Sequence, residues 1–414
     1  MKFDTIIIGG GLSGLTAGIA LQKKGIRTAI ISSGQSAVHF SSGSFSLLAV
    51  ADGKPVSNPL EAIKSLPAEH PYSRIGADEC AKLAKEVPAF MAEAGLTYIG
   101  DANKNAWRLT PVGLFKPSWL HSTDTATLPD ADPKAWGKTV ICNIKGFLDF
   151  FPGFLQSNLK KAGADVEAVT ISTEHLDAMR HNNTEMRAPG IARSLRGAEL
   201  KAFADAISNA AGNAKTIIIP AVVGLDDEKP VNELRSLLPG KNVLTVATNP
   251  ASVPGMRTQM MLRRHFENLG GTYFLGDNVL DGTINDDTLS AIRTANLGDD
   301  HMEAETFILA TGSFFSRGVV AAPDRIYEPV LGLDVDAPAD RNQWFNKNLF
   351  AEQPYMSYGV HTDKNAHVSI NGKTLKNVYA IGAVTGGCNA LKEGCGAGVA
   401  ILSALNVANK ISAK

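Results

Sequence analysis

Residues 5–31 of the chain, TIIIGGGLSGLTAGIALQKKGIRTAII, decide its fold. Thr5–Ile8 is a short β-branched run, which predicts a strand that is covered on both faces. A glycine-rich turn follows at once, apolar residues then recur at helical spacing, and Gly25 ends the helix. Arg27–Ile31 is a second apolar strand. The stretch therefore predicts a complete β-α-β unit of about thirty residues, the unit that opens a Rossmann-like domain.

Three glycines of the turn, Gly9, Gly11 and Gly14, stand at the spacing of a phosphate-binding turn. Gly9 permits the tight turn, Gly11 removes the Cβ that would block a phosphate, and Gly14 lets helix and strand pack closely. Leu12 and Ser13 add N–H groups at the positive end of the helix. We expect these five residues to bind the anionic group of a dinucleotide or a flavin. A glycine-rich turn without a ligand is the alternative.

The end of the second strand carries no acidic residue. An Asp or Glu normally stands there, about 20 residues after the turn, and holds the ribose of an adenosine group. Ser32-Ser33-Gly34 occupy the place, and a serine hydroxyl binds a ribose more weakly than a carboxylate that accepts from two hydroxyls. FMN has a phosphate but no adenosine, so it needs no such acid. The sequence therefore favours FMN, with FAD as the alternative, and makes Ser32 and Ser33 candidate cofactor-binding residues.

Later segments supply the other parts of a flavin-binding fold. The apolar strand Thr306–Leu309 runs into a turn of small residues, Asn377–Ile381 is a strand followed by glycines, and a small-residue helix begins near Gly396. Amide donors at the start of that helix suit the pyrimidine end of a flavin, where reduction places negative charge. A polar loop after the second strand can bring hydroxyls to the ring edge, although a solvated turn is the alternative. The candidate cofactor-binding residues of these segments are Ser41, Ser42, Gly43, Ser44, Ala310, Thr311, Gly312, Gly382, Gly386 and Gly387.

The composition excludes several classes of protein. The chain has 414 residues with 40 basic and 41 acidic side chains, which give a net charge of −1. It therefore lacks the excess of positive charge that is typical of nucleic-acid-binding proteins. Its 4 cysteines contain no C-x-x-C pair, so neither a zinc site nor any other metal centre is predicted. Thiols without a secretory signal indicate a cytoplasmic protein. No stretch approaches ~18 uninterrupted apolar residues, so we expect any membrane association to come through a partner.

Three stretches resemble the glutathione-reductase-type flavoprotein fold, in its succinate dehydrogenase and fumarate reductase branch: Ile6–Gly14, Ala310-Thr311-Gly312 and Tyr379–Ala383. Tyr358-Gly359-Val360, followed by Thr362-Asp363, is similar to a glycine–valine–aspartate segment of that branch. The resemblance implies an α/β protein with a glutathione-reductase-type flavin-binding fold, which contains the Rossmann-like βαβ unit and carries an inserted cap domain.

The whole chain also resembles a narrower family, the B subunits of anaerobic glycerol-3-phosphate dehydrogenase. Length and order agree end to end, most tellingly over Ile6–Leu21, His39–Leu47 and Gly382–Ala400. The resemblance implies a noncovalent FMN and oxidation of sn-glycerol 3-phosphate to dihydroxyacetone phosphate, with quinone as acceptor, in anaerobic respiration. It implies two partners in the same complex, a second flavoprotein (the A subunit) and an iron–sulfur membrane anchor (the C subunit). The anchor would hold the chain at the cytoplasmic face of the inner membrane.

Two other functions stay open at this point. The chain is either a flavin electron-transfer and binding subunit whose partner oxidises the substrate, or a free-standing flavin dehydrogenase of another substrate. Its departures from the dicarboxylate members of the branch motivate these alternatives. Gln353-Pro354 stand where those proteins carry His-Pro, and Asn389–Lys392 replace the stretch that holds their substrate arginine. A site that lacks both groups cannot clamp two carboxylates, so succinate and fumarate are not expected as substrates.

Oxidation of a secondary alcohol that carries a phosphate needs a base for the hydroxyl proton and cations for the phosphate. His39, beside the polar loop, and His361, before the last flavin strand, are the candidate bases. Arg257, Arg317 and Lys392 are the candidate phosphate ligands. For each of the five, a satisfied core histidine or a solvated surface charge is the alternative.

The order of these features predicts the domain organisation. Three separated segments, about 1–70, 254–325 and 365–414, are expected to build the flavin-binding domain. The long stretch 71–253 contains an aromatic- and proline-rich patch at residues 107–119 and is expected to form the inserted cap domain, for substrate or partner. Residues 326–364 are expected to connect the two domains.

Overall fold

The computed structural model describes residues 1–181 and 186–413, and the chain forms two compact units. The first unit consists of Met1–Ala37, Ser46–Phe90 and the chain from Leu262 onward. The second unit consists of Val38–Phe45 and Met91–Met261. In the described ranges, no helix is long and apolar enough to span a bilayer.

The first unit is built on an eight-stranded sheet whose centre is parallel. Lys2–Ile8 pairs with Thr28–Ser32 on one side and with His301–Leu309 on the other. Thr272–Leu275 extends the parallel part beyond Thr28–Ser32, and Lys373–Ala380 pairs in parallel with the last residues of His301–Leu309. The antiparallel strands of the sheet are Val279–Asn285, Thr288–Thr294 and His367–Ile370.

The apolar sequences of the central strands explain their place in the sheet. Ile6, Ile7, Phe307 and Ile308 are fully buried, as a parallel sheet covered on both faces requires. The strands that the sequence predicts in this unit are all present. Its helices are Leu12–Gln22, Pro59–Ile63, Pro71–Ile75, Ala390–Glu393 and Gly396–Ser412. Two longer helices, Ala77–Glu93 and Val253–Asn268, contain two of the four points at which the chain passes between the units.

The limits of the first unit differ from those that the sequence indicated. Residues 326–364 belong to this unit, where the composition suggested a connection between domains. Leu333 and Val360 are buried in its hydrophobic core, and the buried carboxylate of Glu328 accepts hydrogen bonds from the backbone N–H groups of residues 330–333. The unit also extends to Phe90 instead of ending near residue 70.

The second unit has its own sheet of four parallel strands, in the order Val166–Ile171, Thr139–Ile144, Thr216–Pro220 and Asn242–Val246. The last two contain the strands that the sequence predicts near residues 217–219 and 243–246. Helices Pro152–Lys161, Glu174–Met179, Ala188–Ser194, Ala198–Ala211 and Lys229–Leu237 complete this α/β unit. Ile217, Ile218 and Ile219 are fully buried in its core, which shows that the unit has a hydrophobic interior of its own.

Two small antiparallel sheets complete the second unit. The first contains three strands, in the order Phe115–Ser118, Ala106–Leu109 and Thr127–Leu128. The other pairs Tyr98–Ile99 with His121–Ser122. The inserted unit therefore consists of a parallel α/β layer and these short antiparallel pieces.

Candidate functional site

The glycine-rich turn of the first unit is shaped by close backbone contacts. Gly9 has φ +119°, and a Cβ there would lie 2.2 Å from the carbonyl oxygen of Ala310. A Cβ at Gly14 would lie 1.9 Å from the carbonyl oxygen of Gly9. Only glycine fits at either position. The tight turn and the close helix–strand packing therefore occur where the sequence predicts them.

Gly11 differs because it faces open space. A Cβ there would meet only Ser36, at 3.6 Å. No backbone N–H of residues 10–14 donates to a protein atom in the described part of the chain, and the helix Leu12–Gln22 has no side-chain cap. Free N–H groups at a helix N-terminus carry partial positive charge and form an anion site. The residues present therefore fit the phosphate of a flavin.

The space beside Gly10 is filled by protein side chains. The phenol oxygen of Tyr273 lies 3.4 Å from the carbonyl oxygen of Gly10, and Ser32 donates its hydroxyl to the carbonyl of Gly34 at 3.0 Å. A Cβ at Gly10 would lie 2.0 Å from the Tyr273 oxygen and 2.7 Å from Ser32 Oγ. Ser33 is exposed. Sequence reasoning identified the missing acid but not Tyr273, which is brought here by the strand Thr272–Leu275.

The turn after His301–Leu309 presents a free hydroxyl. Ala310 donates its N–H to Ile8 and places its carbonyl against Gly9. Thr311 Oγ1 is buried and has no hydrogen-bond partner among the described residues, which is costly unless a ligand supplies one. Gly312 has φ +83°, which lets the chain turn away. Of the predicted residues 310–312, Thr311 is thus the one whose side chain is available to a cofactor.

The C-terminal glycines are close-packed and do not offer their N–H groups. Gly382 donates to Ser403 Oγ at 2.9 Å, Gly386 to the carbonyl of Val360 at 3.3 Å, and Gly387 to the carbonyl of Ser357 at 2.9 Å. Protein carbonyls and a hydroxyl therefore already accept from these three candidate cofactor-binding glycines, and their N–H groups are not available to a cofactor.

The free donors of this region stand a few residues later. Within the described residues, the N–H groups of Gly396 and Ala397, at the start of the helix Gly396–Ser412, donate to no protein atom. Both residues are half-buried. Two free N–H groups at a helix N-terminus suit the anionic pyrimidine edge of a reduced flavin. The signal for them in the sequence is the run of small residues that opens this helix.

The polar loop of residues 41–44 lies in the second unit. Ser41 donates to the carbonyl of Val38 and accepts from the N–H of Gly43, so its hydroxyl is used within the turn. Ser42 is half-buried, and Ser44 Oγ is buried without a partner. His39 also has a buried ring nitrogen, Nδ1, without a partner. Burial lowers the pKa of His39, so its imidazole is neutral near pH 7. Ser44 and His39 are the groups of this loop that a ligand could satisfy.

Arg257 is a structural cation of the second unit. Its side chain is buried, donates to the carbonyl of Gly224 at 2.8 Å and pairs with the carboxylate of Asp124 at 3.9 Å. Burial raises the pKa of Asp124, but the guanidinium and hydrogen bonds from Ser122 and Thr245 outweigh it and hold that pKa below its usual value. Because its charge is neutralised within the fold, Arg257 does not suit a phosphate ligand.

The other predicted catalytic groups are dispersed over the first unit. Arg317 is exposed at φ +62°, and Lys392 is exposed and forms an ion pair with Glu352. His361 is exposed, and its Nδ1 lies 2.8 Å from Asp336. The structure does not join these residues into one site.

His361 lines a cavity of about 320 Å³. Three carboxylates contribute to the wall, and one of them, Asp334, accepts hydrogen bonds from Ser369 Oγ and from the N–H groups of Asn371 and Gly372. A wall rich in carboxylates repels a phosphate. This cavity therefore does not suit a phosphorylated substrate.

The structure gathers a polar cluster that sequence spacing did not reveal. One ligand atom each of His70, Cys388 and Cys395 lie within 4.8 Å of one another. His70 Nδ1 accepts the N–H of Tyr72 at 3.0 Å, and its Nε2 donates to Glu393 at 3.0 Å. Both ring nitrogens are therefore satisfied by protein, and a metal-bound imidazole normally donates its second N–H instead of accepting. The imidazole of His70 is therefore held in place by protein groups on both sides.

Comparisons with known proteins agree with this geometry. Residues 4–399 match the protein family described as FAD binding domain. The chain is 43% identical over 417 residues to the B subunit of anaerobic glycerol-3-phosphate dehydrogenase from Yersinia pestis, with 99% of this chain and 98% of that protein covered. It is 41% identical over 416 residues to the protein of the same name from Pectobacterium atrosepticum, with 99% of each covered.

A solved structure gives a more distant likeness. The 3-ketosteroid delta1-dehydrogenase of Sterolibacterium denitrificans aligns over 100% of this chain and 99% of that chain, with a TM-score of 0.47 and 11% sequence identity.

Proposed function

Because the chain belongs to the family of FAD-binding domains and to the family of B subunits of anaerobic glycerol-3-phosphate dehydrogenase, we propose that it is the flavin subunit of a glycerol-3-phosphate:quinone oxidoreductase. In this proposal, the complex oxidises sn-glycerol 3-phosphate to dihydroxyacetone phosphate in anaerobic respiration. The observation that carries the proposal is the set of backbone N–H groups at residues 10–14, which lack protein acceptors in the described structure.

A bound flavin supplies an acceptor that takes two electrons together and passes them on singly. The N–H groups of residues 10–14 would hold its phosphate at the positive end of a helix. Thr311 Oγ1, which is buried without a partner among the described residues, would donate to the cofactor. The N–H groups of Gly396 and Ala397 would stabilise negative charge at the ring edge. Three separate segments of the first unit would thus share the binding of one ligand.

We propose FMN as the flavin, with FAD as the alternative. The support is the phenol of Tyr273 beside Gly10, together with Ser32 in place of the usual acid. Both side chains take up room that an adenosine ribose requires, and neither is a carboxylate that could accept from two ribose hydroxyls. An FMN phosphate needs only the free amides of the turn.

A second candidate is a flavin subunit that transfers electrons while its partner oxidises the substrate. The placement of the predicted phosphate ligands favours it. Arg257 is neutralised by Asp124, Lys392 by Glu352, and Arg317 is exposed. If the chain itself binds the substrate, other cations must hold the phosphate. A free-standing flavin dehydrogenase of another substrate is the remaining alternative.

We also propose that the chain works with two partners, a second flavoprotein (the A subunit) and an iron–sulfur membrane anchor (the C subunit). No described helix of this chain is able to span a bilayer, so association with the cytoplasmic face of the inner membrane would come through the membrane anchor. Electrons that leave the flavin for quinone would then pass through the iron–sulfur centres of that partner.

One experiment separates these functions. The flavin-loaded chain is mixed with sn-glycerol 3-phosphate under nitrogen, and the yellow absorbance band is followed. Bleaching by the chain alone supports substrate oxidation at its own flavin. Bleaching only after the flavoprotein partner is added supports the electron-transfer function. Equal bleaching by succinate would contradict the substrate assignment, and bleaching by neither mixture would contradict both forms of the proposal.

A further inference from the structure

The three-stranded sheet of the second unit places two cations side by side. Arg108 on Ala106–Leu109 stands directly opposite Lys116 on Phe115–Ser118, and on its other side directly opposite Thr127. Residues directly opposite in an antiparallel sheet project from the same face. Lys116, Arg108 and Thr127 therefore form one row across the sheet, which we call the cationic row.

The opposite face of the same sheet is apolar and is used for packing. Leu109 and Leu128 belong to the large hydrophobic core of the second unit, and Phe115 packs against it. Because side chains alternate between the faces of a strand, the cationic row points away from that core. Lys116 is exposed, whereas Arg108 and Thr127 are half-buried.

Neither cation has a carboxylate partner in the described residues. The guanidinium of Arg108 makes one long hydrogen bond, of 3.5 Å, to the carbonyl of Leu109, and no ion pair involves Arg108 or Lys116. Burial lowers the pKa of Arg108, so its charge is partly desolvated without being neutralised. Like charges directly opposite on neighbouring strands destabilise a sheet. A bound anion would remove this cost.

His121 adds a neutral acceptor to the second unit. It is 5% exposed, and its Nδ1 lies 3.2 Å from the carbonyl oxygen of Ser122. A carbonyl only accepts, so Nδ1 carries the proton and Nε2 keeps its lone pair. No described residue donates to Nε2.

Two charged groups act on the His121 imidazole. Burial lowers its pKa, Asp124 raises it, and Arg108 lowers it. The carboxylate of Asp124 accepts hydrogen bonds from the hydroxyls of Ser122 and Thr245 and forms an ion pair with Arg257. The strand His121–Ser122 begins three residues after the strand Phe115–Ser118, which carries Lys116, so this short link keeps His121 near the cationic row. The effect of Arg108 on the pKa of His121 agrees with this placement.

We propose that the cationic row binds the phosphate of a phosphorylated polyol and that His121 Nε2 accepts a hydrogen bond from a hydroxyl of the same molecule. This inference rests on the proposed function, for which it names the phosphate-binding residues that Arg257, Arg317 and Lys392 do not supply. Arg108 presents a planar fork that matches phosphate oxygens, Lys116 adds charge, and Thr127 is able to donate its hydroxyl. A dicarboxylate lacks the hydroxyl that His121 requires and is expected to bind more weakly.

Binding of sn-glycerol 3-phosphate and of inorganic phosphate to the full chain, measured by calorimetry, tests the proposal. We expect Arg108→Gln to weaken both ligands by about 10- to 100-fold, since a hydrogen bond between charged groups is lost. Lys116→Gln should weaken both by a smaller factor, because Lys116 is exposed. His121→Asn keeps a donor for Ser122 but removes the Nε2 acceptor. It should weaken glycerol 3-phosphate and leave inorganic phosphate unchanged.

The matched control is Arg196→Gln, which removes an exposed cation of the same unit that is paired with Asp226. It should change neither affinity. Arg108→Lys keeps the charge and should bind better than Arg108→Gln, which separates loss of binding from loss of folding. If Arg108→Gln bound both ligands with unchanged affinity, the assignment of the phosphate site to the cationic row would be wrong, and the proposed function would not be affected. Phosphate binding that depends on Arg108, without binding of glycerol 3-phosphate, would support an anion site and contradict the substrate. Absence of binding by both ligands would overturn the site.

Discussion

The phenol oxygen of Tyr273 lies 3.4 Å from the carbonyl oxygen of Gly10, although 263 residues separate the two in the chain. The ring also stacks against the guanidinium of Arg263, whose central carbon is 4.7 Å from the ring centroid. A side chain held from two directions is not easily displaced by a ligand. Tyr273 is therefore positioned to limit the size of the molecule that binds at the glycine-rich turn.

Replacement of Tyr273 by Ala is expected to widen the choice of flavin. The unchanged chain should release FMN on heating, whereas Tyr273→Ala should accept FAD as well, because the space beside Gly10 opens. Mass spectrometry of the released flavin, after loading with an equal mixture of both, measures the ratio. Tyr273→Phe keeps the ring and is the control, which should still select FMN. Recovery of FAD from the unchanged chain would contradict the argument.

Two glycines of the turn should respond differently to the same substitution. Gly11→Ala places a methyl group in open space at φ −82°, so the melting temperature without flavin should hardly change. Flavin affinity should fall by about tenfold or more, since the loss of one hydrogen bond to a charged phosphate costs about 1.5–3 kcal/mol. Fluorescence titration with flavin measures this affinity.

Gly14→Ala is the counterpart of that change. Its Cβ would lie 1.9 Å from the carbonyl oxygen of Gly9, so the chain should lose stability even in the absence of flavin. Thermal denaturation of the two flavin-free variants makes the comparison. If Gly11→Ala proved the less stable of the two, the assignment of Gly11 to ligand contact and Gly14 to packing would be wrong.

Arg257→Leu is expected to damage folding more than substrate recognition. Removal of one partner of a buried ion pair leaves Asp124 uncompensated, which costs about 3–5 kcal/mol. Urea denaturation should show this loss. Arg180→Gln breaks an exposed pair with Asp177 in the same unit and should cost less than about 1 kcal/mol. A stable Arg257→Leu variant that fails to bind inorganic phosphate would restore Arg257 as a phosphate ligand.

The pair of His70 and Glu393 should make part of the stability depend on pH. Burial raises the pKa of Glu393, but hydrogen bonds from His70 and from the Asn389 N–H outweigh it and bring the pKa below its ordinary value of 4.5. A carboxyl whose pKa is depressed by folding stabilises the protein above its unfolded-state pKa. That contribution is lost as the pH falls through the folded-state pKa.

We therefore expect Glu393→Gln to lower the free energy of unfolding at pH 7 by about 1–3 kcal/mol. The difference from the unchanged chain should shrink as the pH falls below about 4.5. Glu352→Gln, which removes the exposed partner of Lys392, should change stability far less at any pH. Urea titrations across this pH range give the comparison, and a pH-independent difference would contradict the linkage.

The β-α-β unit could be predicted from the sequence because its signals are local. The strand, the glycines and the helix are neighbours in the chain, and each glycine has a steric reason that its spacing reveals. The positions of Tyr273 and of the row of Lys116, Arg108 and Thr127 could not be predicted. They depend on strand pairing and register, which bring together residues from different strands.

The C-terminal glycines illustrate another limit of sequence reasoning. Gly382, Gly386 and Gly387 mark places of close approach within the protein, but the sequence does not say which atoms accept from their N–H groups. The limits of the two units could not be predicted from the sequence either. Two of the four transition points lie inside the helices Ala77–Glu93 and Val253–Asn268, so no break in composition marks those two.

The glycine-rich turn packs against parts of the chain that are synthesised long after it. Gly9 packs against the backbone of Ala310, and Gly382 packs against Ser13, whose Oγ would lie 2.6 Å from a Cβ at Gly382. A ribosome that has made only the first three hundred residues has therefore exposed the amides of the turn without the backbone that shapes them. If the proposed cofactor site is right, we expect the cofactor to bind only after the last helix has emerged. A nascent chain that stalls before residue 382 should then carry no flavin.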